Sequence, residues 1–162
     1  MNFISSQIKT NAMRILTGKK IDYNTYTYDH HDGKIDGVSV AHKAGKDPKT
    51  VYKTLVAQGS SKNLYVFIVP VEEELDLKKA AKATEEKKID MIPVKDIQKH
   101  TGYIRGGCSP IGMKKQYPTF IDASAQNLAR IIVSGGKIGV QVELNLSDLV
   151  DVAQAQVIDI VK

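Results

Sequence analysis

Seven of the twelve glycines in this 162-residue chain fall in two short runs: Gly102, Gly106, Gly107 and Gly112 in the first, Gly135, Gly136 and Gly139 in the second. Glycine loses more backbone freedom on folding than any other residue, so neither run suits the inside of a helix or a regular strand. Each must be a place where the backbone turns or where something approaches it closely. The first run, Thr101 to Gly112, also carries Tyr103, Arg105 and Cys108 and no acidic residue; the second, Ser134 to Gly139, carries Lys137. Free amide groups in such loops can hold an anion or a developing oxyanion. Two ordinary turns are the alternative.

Between these runs the hydrophobic pattern switches at short intervals. Tyr23 to Tyr28, Val51 to Gln58, Leu64 to Val69, Lys87 to Met91, Thr119 to Asp122, Ala129 to Ser134, Val140 to Leu144 and Val157 to Val161 read as strands, rich in β-branched and aromatic residues. Gly59 to Asn63 predicts a hairpin turn, and the second glycine run a second pair of strands. Val140, Val142 and Leu144 alternate with Gln141 and Glu143, as in a half-buried strand. Thr10 is placed to cap a helix stopped by Gly18, and Asp76 one in which Leu77, Ala80 and Ala81 form an inward stripe. Ser39 to Ala44, Val94 to Lys99, Ser124 to Leu128 and a stretch capped at Ser147 complete the short helices. The expected architecture is a single mixed α/β domain over residues 1–162: a partly closed barrel of about seven mixed strands, surrounded by short helices.

Composition narrows the function classes. Hydrophobic content is 42% and charged content 25%, ordinary for a water-soluble domain, and no apolar run reaches the ~18 residues of a membrane helix. Met1 to Ser5 has no basic leader, so no signal peptide and a cytoplasmic location are expected; one cysteine excludes an internal disulfide. The net charge of +5 is unevenly placed. Residues 77–121 hold ten Lys or Arg against four Asp or Glu, and residues 122–162 three against five. A basic segment leading into a glycine loop suits a polyanionic partner; a solvated lysine-rich helix is the plainer reading.

Among chemistry-bearing residues Lys53 stands out. Alternation puts it with Val51 and Leu55 on one face and Tyr52, Thr54 and Val56 on the other, so neither face is polar. Such a lysine either snorkels to a rim or meets an anion in a cavity. Tyr28 could wall a cavity. His30 and His31 are adjacent, so their rings should diverge, and nothing at metal-ligand spacing joins them; neither metal nor cofactor is expected. Cys108 has no histidine closer in sequence than His100 and reads as a packing residue rather than a nucleophile. Neither glycine run fits a Walker A or dinucleotide-binding pattern.

Lys9 to Arg14, Tyr52-Lys53-Thr54-Leu55, Leu75 to Lys82, Thr101 to Gly112 with Lys114-Lys115, and Val133 to Lys137 together resemble the bacterial YbaK/EbsC family, in order and over nearly the whole chain. These are free-standing relatives of the editing domain inserted in some prolyl-tRNA synthetases. The resemblance implies a mixed β-barrel and removal of a wrong amino acid from tRNA. The most similar branch acts on cysteine attached to tRNA for proline, and on Cys-tRNA(Cys), by attack of the substrate's own thiol. By the same resemblance Lys53 is the essential lysine and Gly106 supplies a backbone amide. Tyr28, Gly107, Ser134 and Gly136 would form the aminoacyl pocket. Where some members carry a pocket aromatic, the simplest alignment puts Asp36. The implied partners are the acceptor end of an aminoacyl-tRNA and prolyl-tRNA synthetase. Hydrolysis of Ala-tRNA(Pro), or a non-catalytic regulatory or tRNA-binding role, are the alternatives.

Overall fold

A computed structural model describes residues 9–34, 36–43 and 45–162. The strands are β1 (Tyr23–Thr27), β2 (Tyr52–Gly59), β3 (Leu64–Pro70), β4 (Ile89–Met91), β5 (Thr119–Asp122), β6 (Arg130–Lys137), β7 (Val140–Asn145) and β8 (Ala155–Ile158). The helices are α1 (Asn11–Gly18), α2 (Gly37–Lys43), α3 (Leu77–Thr84), α4 (Ile97–Thr101) and α5 (Leu146–Ala153). Single 3-10 turns at Pro48–Thr50, Val94–Asp96 and Ala123–Asn127 complete the elements among the described residues.

The strands form two sheets. One has three antiparallel strands in the order β1-β7-β6; the other has five in the order β4-β2-β3-β5-β8. In the second, β2 is antiparallel to both neighbours, while β3, β5 and β8 run parallel. Among the described residues the sheets touch through one parallel bridge, Val51 to Ile132. The expected barrel is therefore not closed, and eight strands stand where about seven were expected. The reason lies in β2: β4 pairs only with Ala57–Gly59, so Tyr52–Leu55 keeps one edge without a strand.

The main core fills the space between the sheets. Ala12, Met13 and Leu16 of α1 pack with Val66, Ile68 and Ile121 from one sheet and Ile131, Val133, Val142 and Leu144 from the other. A second core on the outer face of the five-stranded sheet holds Phe67, Val69, Phe120 and Ala80 of α3. Thr10 caps α1 by accepting the Met13 N–H at 3.2 Å, and Asp76 caps α3 by accepting those of Lys78 and Lys79.

Three local expectations need correction. Leu77 is 41% exposed, because Leu75, held by a bridge to Val161, takes the core position instead. The cap of α5 is Asn145, not Ser147, which lies one residue inside the helix. The last strand begins at Ala155, because β8 must start there to pair in parallel with Thr119–Asp122.

Candidate functional site

The open edge of β2 faces the end of the three-stranded sheet, and a cavity of about 640 Å³ lies between them. Val51 to Leu55 form one wall. Ser134, Val140 and Gln141 form another, Arg105, Gly106 and Cys108 of the first glycine run a third, and Tyr28 and Asp36 complete it. Four candidates separated widely in sequence, Tyr28, Lys53, Gly106 and Ser134, thus line one space. A larger cleft of about 820 Å³ beneath α3 and β8 contains none of them, and its Lys79 is paired with Asp159 at 2.9 Å.

Lys53 is half-buried opposite Val69 of β3. Among the described residues its ammonium makes no ion pair. Burial pushes its pKa below the ordinary lysine value, and Glu74 and Glu73 oppose that shift only through space. Glu74 itself is held by Lys162 at 2.9 Å. A partly desolvated, unpaired ammonium at a cavity wall is poised for an anionic or strongly polar ligand.

The first glycine run owes its shape to close backbone approach. Gly106 has a φ of +84°, which favours glycine. The Gly107 N–H donates to Ile104 O at 3.0 Å, whereas the Gly106 N–H has no acceptor among the described residues. A Cβ on Gly107 would lie 2.7 Å from the Ile138 nitrogen and 3.0 Å from the Lys137 Cα, so the two glycine runs touch. A Cβ on Gly136 would lie 2.9 Å from the Tyr103 ring. Tyr103 is buried, its hydroxyl donates to Ile111 O at 2.7 Å, and burial pushes its pKa up to about 12. Gly107 and Gly136 are not among the lining residues; Gly107 meets Lys137 and Ile138, and Gly136 meets Tyr103 and Thr10.

Ser134 precedes a bulge in β6, where pairing with β7 skips from Ser134 to Lys137. Its Oγ accepts the Gly136 N–H at 3.2 Å, leaving the hydroxyl proton for a partner in the cavity. The Tyr28 N–H donates to Gly139 O at 3.0 Å, fixing the ring beside the β6–β7 turn. The Asp36 carboxylate accepts the Ser39 N–H at 3.1 Å at the start of α2, and this bonding holds it below the usual carboxylate range. Cys108 is buried, and burial pushes its thiol up to about 11, so it carries no thiolate near neutral pH.

Two lining residues escape sequence reasoning. Gln141 was expected on the solvent side of an alternating strand, but it is only 4% exposed, because the cavity wall covers that face of β7. Its Oε1, like Oγ1 of Thr54, is buried without a hydrogen-bond partner among the described residues. Such unpaired oxygens are uncommon, and the cavity holds two. The His30 and His31 rings, expected to diverge, stack with centroids 5.2 Å apart. Among the described residues no cluster of three or more His, Cys, Asp or Glu side chains could hold a metal, and no helix is long and apolar enough to cross a membrane.

Comparison with known proteins identifies the family of the chain. An Enterococcus faecalis protein named as a Cys-tRNA(Pro)/Cys-tRNA(Cys) deacylase, EbsC, is 43% identical over 155 residues, 96% of this chain and 94% of that protein. A crystal structure described as a trans-editing enzyme for prolyl tRNA synthetase superposes with a TM-score of 0.81 at 19% identity, covering 96% of this chain and 99% of that one. A hypothetical protein of solved structure superposes with a TM-score of 0.85 at 15% identity, over 94% of this chain and 100% of that one. At those identities the two structures attest the fold alone. Residues 35–152, which contain every lining residue of the cavity among the described residues except Tyr28 and Gly33, match the family model of the aminoacyl-tRNA editing domain, and the chain belongs to that family.

Proposed function

We propose that this protein is a free-standing deacylase that removes cysteine from mischarged tRNA for proline, and from Cys-tRNA(Cys). The observation that carries the reading is the convergence of Lys53, Gly106, Ser134 and Tyr28 on one cavity whose cysteine is a buried, protonated thiol. Such a site orients and stabilises a reactant without supplying a nucleophile. A cysteinyl ester carries its own: the substrate thiol attacks its carbonyl. A carbon–sulfur bond then forms, the carbon–oxygen bond to the ribose breaks, and the thiol proton ends on the departing ribose hydroxyl. The protein holds the ester in an attack geometry and meets the negative charge that develops on the carbonyl oxygen.

In this mechanism the Gly106 amide donates to that oxygen. Ser134 and Tyr28 orient the aminoacyl group, and Lys53 meets the terminal phosphate or ribose. The identity to the named Enterococcus faecalis deacylase supports the substrate class. With few residues free to grip a whole tRNA, the chain acts with a partner that already holds it, and prolyl-tRNA synthetase fits that task.

The test is deacylation of Cys-, Ala- and Pro-charged tRNA. Cys-tRNA should be cleaved in preference to the other two. Lys53→Ala should lose at least about 10²-fold in rate while remaining folded, and Cys108→Ser should retain its rate within a few-fold. Full turnover by Lys53→Ala would refute the site assignment, and a large loss in Cys108→Ser would point to a covalent route.

A further inference from the structure

We infer that Arg105 and Lys137 form a two-point phosphate clamp for the single-stranded 3′ end of the RNA, where the two glycine runs meet beside the cavity. Each glycine run carries one basic residue, thirty-two positions apart in sequence. The contact of Gly107 with the backbone of Lys137 and Ile138 brings the two runs together. Arg105 lies two residues before that contact and Lys137 is part of it. Both side chains are exposed, and Arg105 lines the cavity.

Neither cation has an acidic partner among the described residues. Neither glycine run contains an acid, and among the described residues Asp36 is the one carboxylate lining the cavity. Arg105 on the cavity lining and Lys137 at the junction of the two runs are thus two unneutralised charges, and Ile104, next to Arg105 in the chain, is 46% exposed and offers apolar surface to a base. This assignment rests on the reading that an aminoacyl-tRNA ester enters the cavity. If it does, the one phosphodiester of that terminal nucleotide and those of the preceding nucleotides lead the strand out of the cavity. Covalent continuity then selects RNA over an acidic protein as the occupant. The guanidinium suits two-pronged phosphate contact, and the ammonium acts as a point charge.

The test uses uncharged tRNA, so that no ester chemistry is involved. Binding of the full-length protein is followed by fluorescence anisotropy over a salt series, with an intact tRNA(Pro) transcript and with one lacking the 3′ single strand. Arg105→Ala and Lys137→Ala should each weaken binding to the intact RNA about three- to tenfold. The double variant should flatten the dependence of log K on log salt by about 1.4, the value for two single-strand phosphates. Truncating the RNA should cost the wild type more than it costs the double variant, the difference equalling what the double substitution costs on the intact RNA. Lys82→Ala, an exposed lysine lining the cleft beneath α3, is the control and should bind like the wild type. Equal losses on intact and truncated RNA, or no loss with either variant, would overturn the clamp. Because only binding is read, a protein that shows this pattern but leaves Cys-tRNA intact would refute the proposed activity and leave the clamp standing.

Discussion

Gly107→Ala probes the joint between the two glycine runs. The added methyl would sit 2.7 Å from the Ile138 nitrogen, 2.9 Å from the Lys137 carbonyl carbon and 3.0 Å from its Cα. All three are backbone atoms, so no side chain can swing aside and the loop must lift from the β6–β7 turn. Overpacking of this kind costs about 2 kcal/mol. The φ of Gly107 is not in the left-handed region, so the substitution also stiffens the unfolded chain and returns about 0.5 kcal/mol. The net loss of about 1.5 kcal/mol corresponds to a fall in Tm of about 3–6 °C for a chain of this length. Activity should fall further than stability, because the lifted loop takes the Gly106 amide with it, and a displacement near 1 Å costs on the order of 10²-fold in rate. Thermal melting and Cys-tRNA deacylation at a temperature where the variant is fully folded separate the two effects. Gly18→Ala, whose Cβ would meet nothing within 4 Å, is the matched control and should leave both unchanged or slightly raise the Tm. A Gly107→Ala protein with wild-type Tm and rate would refute the claim that the runs are in contact.

Two further outcomes concern buried polar groups. Burial raises the Cys108 thiol from 9.0 to about 11 and the Tyr103 hydroxyl from 10.0 to about 12. Below about pH 8 both are protonated in the folded and the unfolded chain, and their contribution is complete. Above it the unfolded chain releases protons that the folded chain keeps, so stability falls as the pH rises toward 12, by on the order of 2 kcal/mol per group. Urea titrations at pH 8 and pH 10.5 should show this loss, reduced in Cys108→Ala, and the native thiol should resist alkylation at pH 8. Gln141→Leu removes a buried oxygen that has no partner, and should raise the Tm by about 2–4 °C while weakening Cys-tRNA deacylation. An unchanged rate would exclude Gln141 from substrate contact.

The order and type of the elements were legible because strand residues in this chain announce themselves locally. Tyr23 to Thr27, Leu64 to Pro70 and Thr119 to Asp122 are β-branched or aromatic runs bounded by turn residues. Sheet membership was not legible. Whether β2 pairs with β6 along its length or through the single Val51–Ile132 bridge depends on contacts between residues about eighty positions apart, which no local pattern encodes. For the same reason Gln141 read as a solvent residue: alternation marks which side chains share a face, not which face is covered. Lys53 was legible for the opposite reason, since a cation among apolar neighbours on both sides of a strand conflicts with every local rule. Gly107 and Gly136 were picked out as glycines, but the atoms that crowd them, on Lys137, Ile138 and Tyr103, belong to other parts of the chain.

The unpaired border of β2 has a second consequence, one for the behaviour of this protein at high concentration. A row of vacant backbone donors and acceptors is a template on which another chain can add a strand, and natural sheets blunt such borders with lysine. Lys53 stands on that border. The ammonium proposed to meet the ligand is thus also placed to keep neighbouring molecules from zipping together, so replacing it with a neutral residue should promote self-association as well as lower the deacylation rate.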